Sequence, residues 1–211
     1  MKILLLGGNG ELGPHVVKAL EKRHTLRITD INNLETDHEY IKVDSSDIDQ
    51  VVAAAENMDA IINLSVLRPD RKLAFDVNAR GCYNMMIAAR EHGIRRLINT
   101  GPFYAVTGPT YERFDHGIHV DVPHQPGTYL YALTKSLGQE ICTVMAPDQD
   151  SYVMDLLFYM FVDVETDKAE SGSPIANLGR DLVPYTVSWR DAADAFRLAM
   201  EVDLESLASR S

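Results

Sequence analysis

The sequence predicts an α/β chain: a doubly wound parallel sheet with helices on both faces. Three observations carry that prediction. Short apolar runs alternate along the chain with segments of helical spacing. Those runs are continuously apolar, as in strands buried on both faces, and do not alternate with polar residues. The first run, Lys2–Leu6, stops at Gly7-Gly8 and passes through a Gly-rich turn straight into a helical segment.

The elements follow in order. Glu11–Lys22 has apolar residues at Leu12, Val16, Ala19 and Leu20, a helical spacing. Leu26–Thr29 reads as the second strand, ending at Asp30, and Glu39–Val43 as the third, ending at Asp44. Ile48–Asn57 is helical and Ala60–Val66 is a strongly apolar fourth strand. Ala74–His92 is a long helix and Arg96–Asn99 the fifth strand. From Thr100 to Pro126 the pattern lapses into Gly and Pro, which predicts a long functional loop. Helical spacing returns over Tyr131–Met145, and Val153–Phe161 is an aromatic-rich strand. Asp163–Arg180 is polar and predicts loop. Ser188-Trp189-Arg190-Asp191 has the form of a capping box opening a helix over Ala192–Val202. Alternating strands and helices imply parallel pairing through right-handed crossovers.

Composition narrows the function classes. A chain of 211 residues, 45% hydrophobic and 24% charged, is expected to form one globular domain. Its net charge of -11 repels a phosphate backbone, so no nucleic-acid partner is expected. There is no polybasic run for an anionic membrane, and no stretch reaches the roughly 20 apolar residues of a spanning helix. The run Ile3–Leu6 is too short for a secretory signal. Cys82 and Cys142 lie outside any CxxC or Cys/His cluster, which predicts two buried free thiols, a reducing cytoplasmic setting and no metal.

Gly7-Gly8-Asn9-Gly10-Glu11-Leu12-Gly13 stands between the first strand and the first helix. Gly7 permits the tight turn, Gly10 lets a pyrophosphate approach the backbone, and Gly13 allows close helix–strand packing. The N–H groups of the helix N-terminus then meet the phosphates. Pro14 is tolerated because it falls in the first turn. Asp30 lies 20 residues after Gly10, at a strand end, where its carboxylate can accept hydrogen bonds from the adenosine ribose. It would repel a 2′-phosphate, which favours NAD over NADP. These features specify the α/β chain as a Rossmann-type dinucleotide-binding domain.

Tyr131-Ala132-Leu133-Thr134-Lys135 places a phenol and an ammonium four residues apart, on one face of a helix. A nearby ammonium favours phenolate. Such a phenol can take a proton from a substrate hydroxyl as hydride leaves the carbon.

Taken together, these motifs resemble the extended short-chain dehydrogenase/reductase family, the NAD-dependent epimerase/dehydratase group. The resemblance continues through Val43-Asp44-Ser45-Ser46-Asp47, Ile61-Ile62-Asn63-Leu64-Ser65, Val77-Asn78-Ala79-Arg80-Gly81 and Val187–Met200. It implies Tyr131 as the acid/base, with Lys135 tuning it and bonding the nicotinamide ribose. It places Asp44 and Ser45 near the adenine and Leu64 and Ser65 on the ribose side. Glu11, Leu12 and Asn78 complete the implied cofactor contacts. Tyr129–Lys135 with Gly138 is most similar to uronate dehydrogenases, which oxidise a sugar acid to its lactone with NAD. The implied partner is therefore a sugar or sugar acid, and homodimers are common among such relatives.

Two departures stand out. The family's Ser-Ser pair after the fifth strand reads Thr100-Gly101. Thr100 corresponds to the first Ser, whereas the second is normally catalytic; Thr107 is another candidate hydroxyl. The C-terminal substrate lobe is reduced to a segment of about 163–186, whose Lys168 and Arg180, like Arg68 and Arg71, read as solvated surface charges. Two functions are thus expected as alternatives: an NAD-dependent sugar or sugar-acid oxidoreductase or epimerase, or a non-catalytic NAD-binding sensor or partner-binding protein.

Overall fold

A computed structural model describes residues 1–67, 69–103, 124–178 and 185–204. The main sheet contains β1 (Lys2–Leu6), β2 (Thr25–Asp30), β3 (Glu39–Lys42), β4 (Ala60–Asn63), β5 (Arg96–Pro102) and β6 (Tyr152–Phe158). They lie in the order β3-β2-β1-β4-β5-β6, every pair parallel. The helices are α1 (Gly13–Leu20), α2 (Ile48–Ala54), α3 (Arg71–Phe75), α4 (Gly81–His92), α5 (Leu130–Met145) and α6 (Trp189–Glu201).

Why the sheet is covered on both faces can be read from β1. Successive side chains point to opposite faces. Leu4 and Leu6 join Ile61, Leu97, Val51, Met85 and Cys142 in the core beneath α2, α4 and α5. Ile3 and Leu5 join Ile62, Ile98, Val16, Leu20 and Phe196 beneath α1 and α6. A strand that must be apolar on both faces cannot alternate, which is the signal the sequence carries.

Helix ends follow local chemistry. Asp47 caps α2 by accepting from Gln50 N at 3.2 Å, and Asp70 caps α3 by accepting from Leu73 N at 2.8 Å. Ser188 caps α6 by accepting from Asp191 N at 3.0 Å, so α6 starts at Trp189, earlier than the expected Ala192. Gly93 ends α4 in the left-handed region at φ +66°.

Three predicted elements change. The Ala74–His92 helix starts earlier, as α3, and passes through a π-helical turn at Asp76–Arg80 before α4. β5 runs on to Pro102, because β6 continues to offer backbone partners through the pair Pro102↔Phe158. The single strand Val153–Phe161 is two: after Phe158 the chain leaves the main sheet, and β7 (Met160–Asp163) joins β8 (Lys168–Ala169) and β9 (Thr186–Ser188) in a small sheet ordered β8-β7-β9. The predicted loop after Asp163 therefore contains a strand. That strand, β8, pairs with β7 only through Val162↔Ala169 and Asp163↔Lys168, and the sheet is completed by the long-range β7–β9 pair Phe161↔Val187, which leaves no local periodicity to detect. Thr107, Arg68, Arg180 and most of the predicted Thr100–Pro126 loop lie outside the described residues.

The π-turn and α5 touch at a glycine. A Cβ on Gly138 would stand 2.7 Å from Cys82 Sγ and closer still to the Asn78 carbonyl oxygen. Gly138→Ala is therefore expected to destabilise the fold by about 1–3 kcal/mol, the usual range for overpacking. A urea titration checks this; an unchanged midpoint would show that α5 can withdraw freely. Cys82 and Cys142 are both buried and unbridged, and meet across α4 and α5. No helix among the described residues is long and apolar enough to cross a membrane.

Candidate functional site

The carboxyl ends of β1, β4 and β5 meet the first turns of α5 around a cleft of about 440 Å³. It lies where the strand order reverses between β1 and β4, the place where open α/β sheets bind ligands. Gly7 and the segment Gly10–Gly13 form one wall, and Leu64 and Val66 follow β4. Thr100, Gly101 and Pro102 come from β5, and Tyr131 and Lys135 from α5. Phe158, Phe161, Glu170 and Trp189 close the side nearest the small sheet.

The Gly-rich turn is held by its own backbone. Gly8 N donates to Thr29 O at 2.8 Å, Gly10 N to Gly7 O at 3.3 Å, and Gly13 N to Gly10 O at 3.1 Å. Gly7 takes φ +73°, and a Cβ there would sit 2.7 Å from the Ser65 backbone. Around Gly10 a Cβ would meet only Gly7 O, at 3.5 Å, so the turn is open on that side. The backbone of residues 10–13 thus faces the cleft with no side chain at two of four positions, a cradle shaped for a phosphate group.

Asp30 ends β2 beside this turn. Its carboxylate accepts from Asn9 N at 3.2 Å and from Asn32 N at 3.0 Å, which ties strand and turn together. Tyr40 donates to Asp30 O at 3.1 Å and also to Asn32 O. Burial first, then the Asp30 charge, push the Tyr40 phenol above its ordinary value, so it stays a donor.

Tyr131 and Lys135 line the cleft together. Lys135 is 2% exposed, and its Nζ donates to Ser65 O at 2.7 Å and Thr100 O at 2.9 Å. These bonds lock the ends of β4 and β5 to α5 and compensate a buried charge that would otherwise be costly. Leu64 N donates to Leu6 O at 2.8 Å and Ser65 N to Asn63 Oδ1 at 3.1 Å, which sets the turn after β4.

Other predicted residues stand apart from the cleft lining. Asp44 accepts from Ser46 N and Oγ at 2.9 and 2.7 Å. Ser45 O accepts from Asn84 Nδ2 at 2.9 Å. Asn78, fully buried, donates to Leu67 O at 2.7 Å and Thr134 Oγ1 at 2.9 Å and accepts from Leu67 N at 3.1 Å. It braces the turn after β4 against α5.

Thr100 carries a bond of its own. It lines the cleft, but its hydroxyl donates to Asn63 O on the neighbouring strand. In this arrangement its one hydrogen points to the main chain and its lone pairs remain as acceptors. Gly101 beside it has no side chain to offer.

Two features escaped the sequence reading. Trp189 stacks on Phe161 with ring centroids 4.3 Å apart and on His15 at 5.0 Å, which ties α6 to α1 at the cleft mouth. Gln139 lies under Gly101, eight residues after Tyr131 and four after Lys135; that helical spacing was a signal available in the sequence.

Residues 3–162 match the NAD dependent epimerase/dehydratase family. The chain belongs to that family. Over 150 residues it is 31% identical to the uronate dehydrogenase of Pseudomonas syringae pv. tomato, covering 67% of this chain and 53% of that protein. Over 155 residues it is 28% identical to the uronate dehydrogenase of Pseudomonas putida, covering 67% and 54%. The chain thus spans about half the length of the relatives it matches. Uronate dehydrogenase from Agrobacterium tumefaciens superposes with a TM-score of 0.80 at 18% identity, over 96% of this chain and 73% of that one. At that identity the likeness shows the epimerase/dehydratase fold. NAD is the cofactor by which the family is described.

Proposed function

We propose that this epimerase/dehydratase-family chain is an NAD-dependent oxidoreductase or epimerase of a sugar or sugar acid, with uronates as the first substrates to test. The observation that carries the reading is Tyr131 and Lys135 lining the same cleft as Gly7, Gly10 and Gly13. NAD supplies hydride acceptance. Gly10, Glu11, Leu12 and Gly13 would hold its pyrophosphate, and Asp30 its adenosine ribose. Tyr131 would take the substrate hydroxyl proton, and the Lys135 ammonium, lining the same cleft, would favour the phenolate. The uronate dehydrogenases among its relatives motivate the choice of substrate.

A second reading, a non-catalytic NAD-binding protein, is favoured by one observation. The Thr100 hydroxyl is engaged with Asn63 O, and residue 101 is Gly.

The test has two parts. Calorimetry should give NAD an affinity at least about tenfold above NADP, because a like charge at close range costs on the order of 1–4 kcal/mol and 1.4 kcal/mol is tenfold. Asp30→Ala should narrow that gap; equal affinities in the wild type would remove Asp30 from the ribose site. Turnover is then followed as NADH absorbance with D-glucuronate, D-galacturonate and neutral sugars. NAD binding without turnover of any sugar selects the second reading.

A further inference from the structure

We propose that the carboxamide of Gln139 takes the place of the side chain that residue 101 lacks and holds the substrate's reacting oxygen beside Tyr131. This rests on the oxidoreductase reading above.

Gln139 follows Tyr131 and Lys135 on α5 at spacings of eight and four, so the three share one helix face. Gly101 lines the cleft with Tyr131 and Lys135. A Cβ built on Gly101 would lie 3.3 Å from Gln139 Cδ and nearer to its Nε2 than any non-bonded contact allows. The carboxamide therefore fills the volume a side chain at 101 would enter, directly behind a residue that lines the cleft. A serine at 101 would carry its oxygen one bond beyond that Cβ, against the amide already there.

The state of the amide points to a ligand. Gln139 is 1% exposed, and among the described residues neither its Nε2 nor its Oε1 has a hydrogen-bond partner. Buried polar groups are bonded in the great majority of cases, because an orphaned one loses its water and gains nothing. An apolar side chain of similar volume would fill the space without that cost. A substrate oxygen in the cleft would complete the amide. An alcohol oxygen becoming a carbonyl accepts from an N–H in both states, and an N–H aimed at it favours the charge that develops there. The chemical class recognised is thus a sugar hydroxyl or the ketone or lactone oxygen derived from it.

The test compares wild type, Gln139→Leu, Gln139→Met, Gly101→Ser and the double variant Gly101→Ser/Gln139→Ala. Each is assayed for uronate turnover with NAD, for NAD affinity and for the melting temperature of the cofactor-free protein. Either Gln139 variant should lose about 100-fold in kcat/KM, the usual loss for one oxyanion donor. Both should hold NAD affinity within about twofold and melt no lower than wild type, since a partnerless polar group has been replaced by an apolar one. Gly101→Ser alone should melt lower and lose activity, and the double variant should regain turnover to within about tenfold of wild type, because a hydroxyl replaces the amide. Full activity in Gln139→Leu and Gln139→Met overturns the proposal. So does a loss of activity that tracks a fall in melting temperature and is not recovered in the double variant. A wild type that binds NAD but turns over no sugar overturns the oxidoreductase reading, and this proposal with it.

Discussion

Tyr131→Phe is expected to lower kcat/KM for sugar oxidation by about 10²–10⁴-fold, the contribution typical of a positioned general acid/base. The ring stays the same size in a position 9% exposed, so packing is conserved and only the hydroxyl is lost. Lys135 keeps its bonds to Ser65 O and Thr100 O, because neither involves the phenol. NAD affinity should therefore hold while turnover falls, and the two measurements separate proton transfer from cofactor binding. Full turnover in the variant would remove Tyr131 from the chemistry. A matching loss of NAD affinity would make it a binding residue.

The second large effect is expected at Gly13. A Cβ there would stand 2.5 Å from the Gly8 carbonyl carbon and closer to its oxygen. Both are backbone atoms, so no side-chain rotation relieves the overlap. Gly8 is itself anchored to β2 through Thr29 O. Gly13→Ala must therefore move the start of α1 away from the turn, and the cradle of residues 10–13 with it. Overpacking of this kind costs about 1–3 kcal/mol or more. We expect a lower melting temperature and NAD affinity reduced at least about tenfold, the equivalent of 1.4 kcal/mol. The paired control is Gly10→Ala, where a Cβ meets only Gly7 O at 3.5 Å. That variant should fold with near-normal stability, yet place a methyl group toward the cleft. Equal melting temperatures for wild type and Gly13→Ala would show that the overlap is absorbed without moving the turn.

Local structure was legible in the sequence wherever the signal was short-range. The Lys2–Leu6 run, the glycines after it and Asp30 at the end of β2 are one strand-turn-helix-strand unit, and short-range spacing specifies their geometry. The same holds for Tyr131 and Lys135, one helical turn apart. Ser188 and Asp191 marked the start of α6 for the same reason, since a cap is a contact between near neighbours.

The sequence by itself determined the α/β architecture, the Gly-rich turn with Asp30, and the Tyr131/Lys135 pair, because strand, helix and turn propensities act over a few residues. Only the tertiary structure decided what the hydroxyl of Thr100 does. Its acceptor, Asn63 O, lies 37 residues away on a neighbouring strand and exists only once β4 and β5 pair. The same distance hid the small sheet, whose strand β7 is completed by β9 across a gap in sequence. Tertiary structure also decided the surroundings of Gln139, whose helical spacing from Tyr131 was legible but which only folding buries under Gly101, with its amide unpartnered among the described residues. Chain periodicity reports which face of an element is buried; it carries no information about which atom of another element waits there.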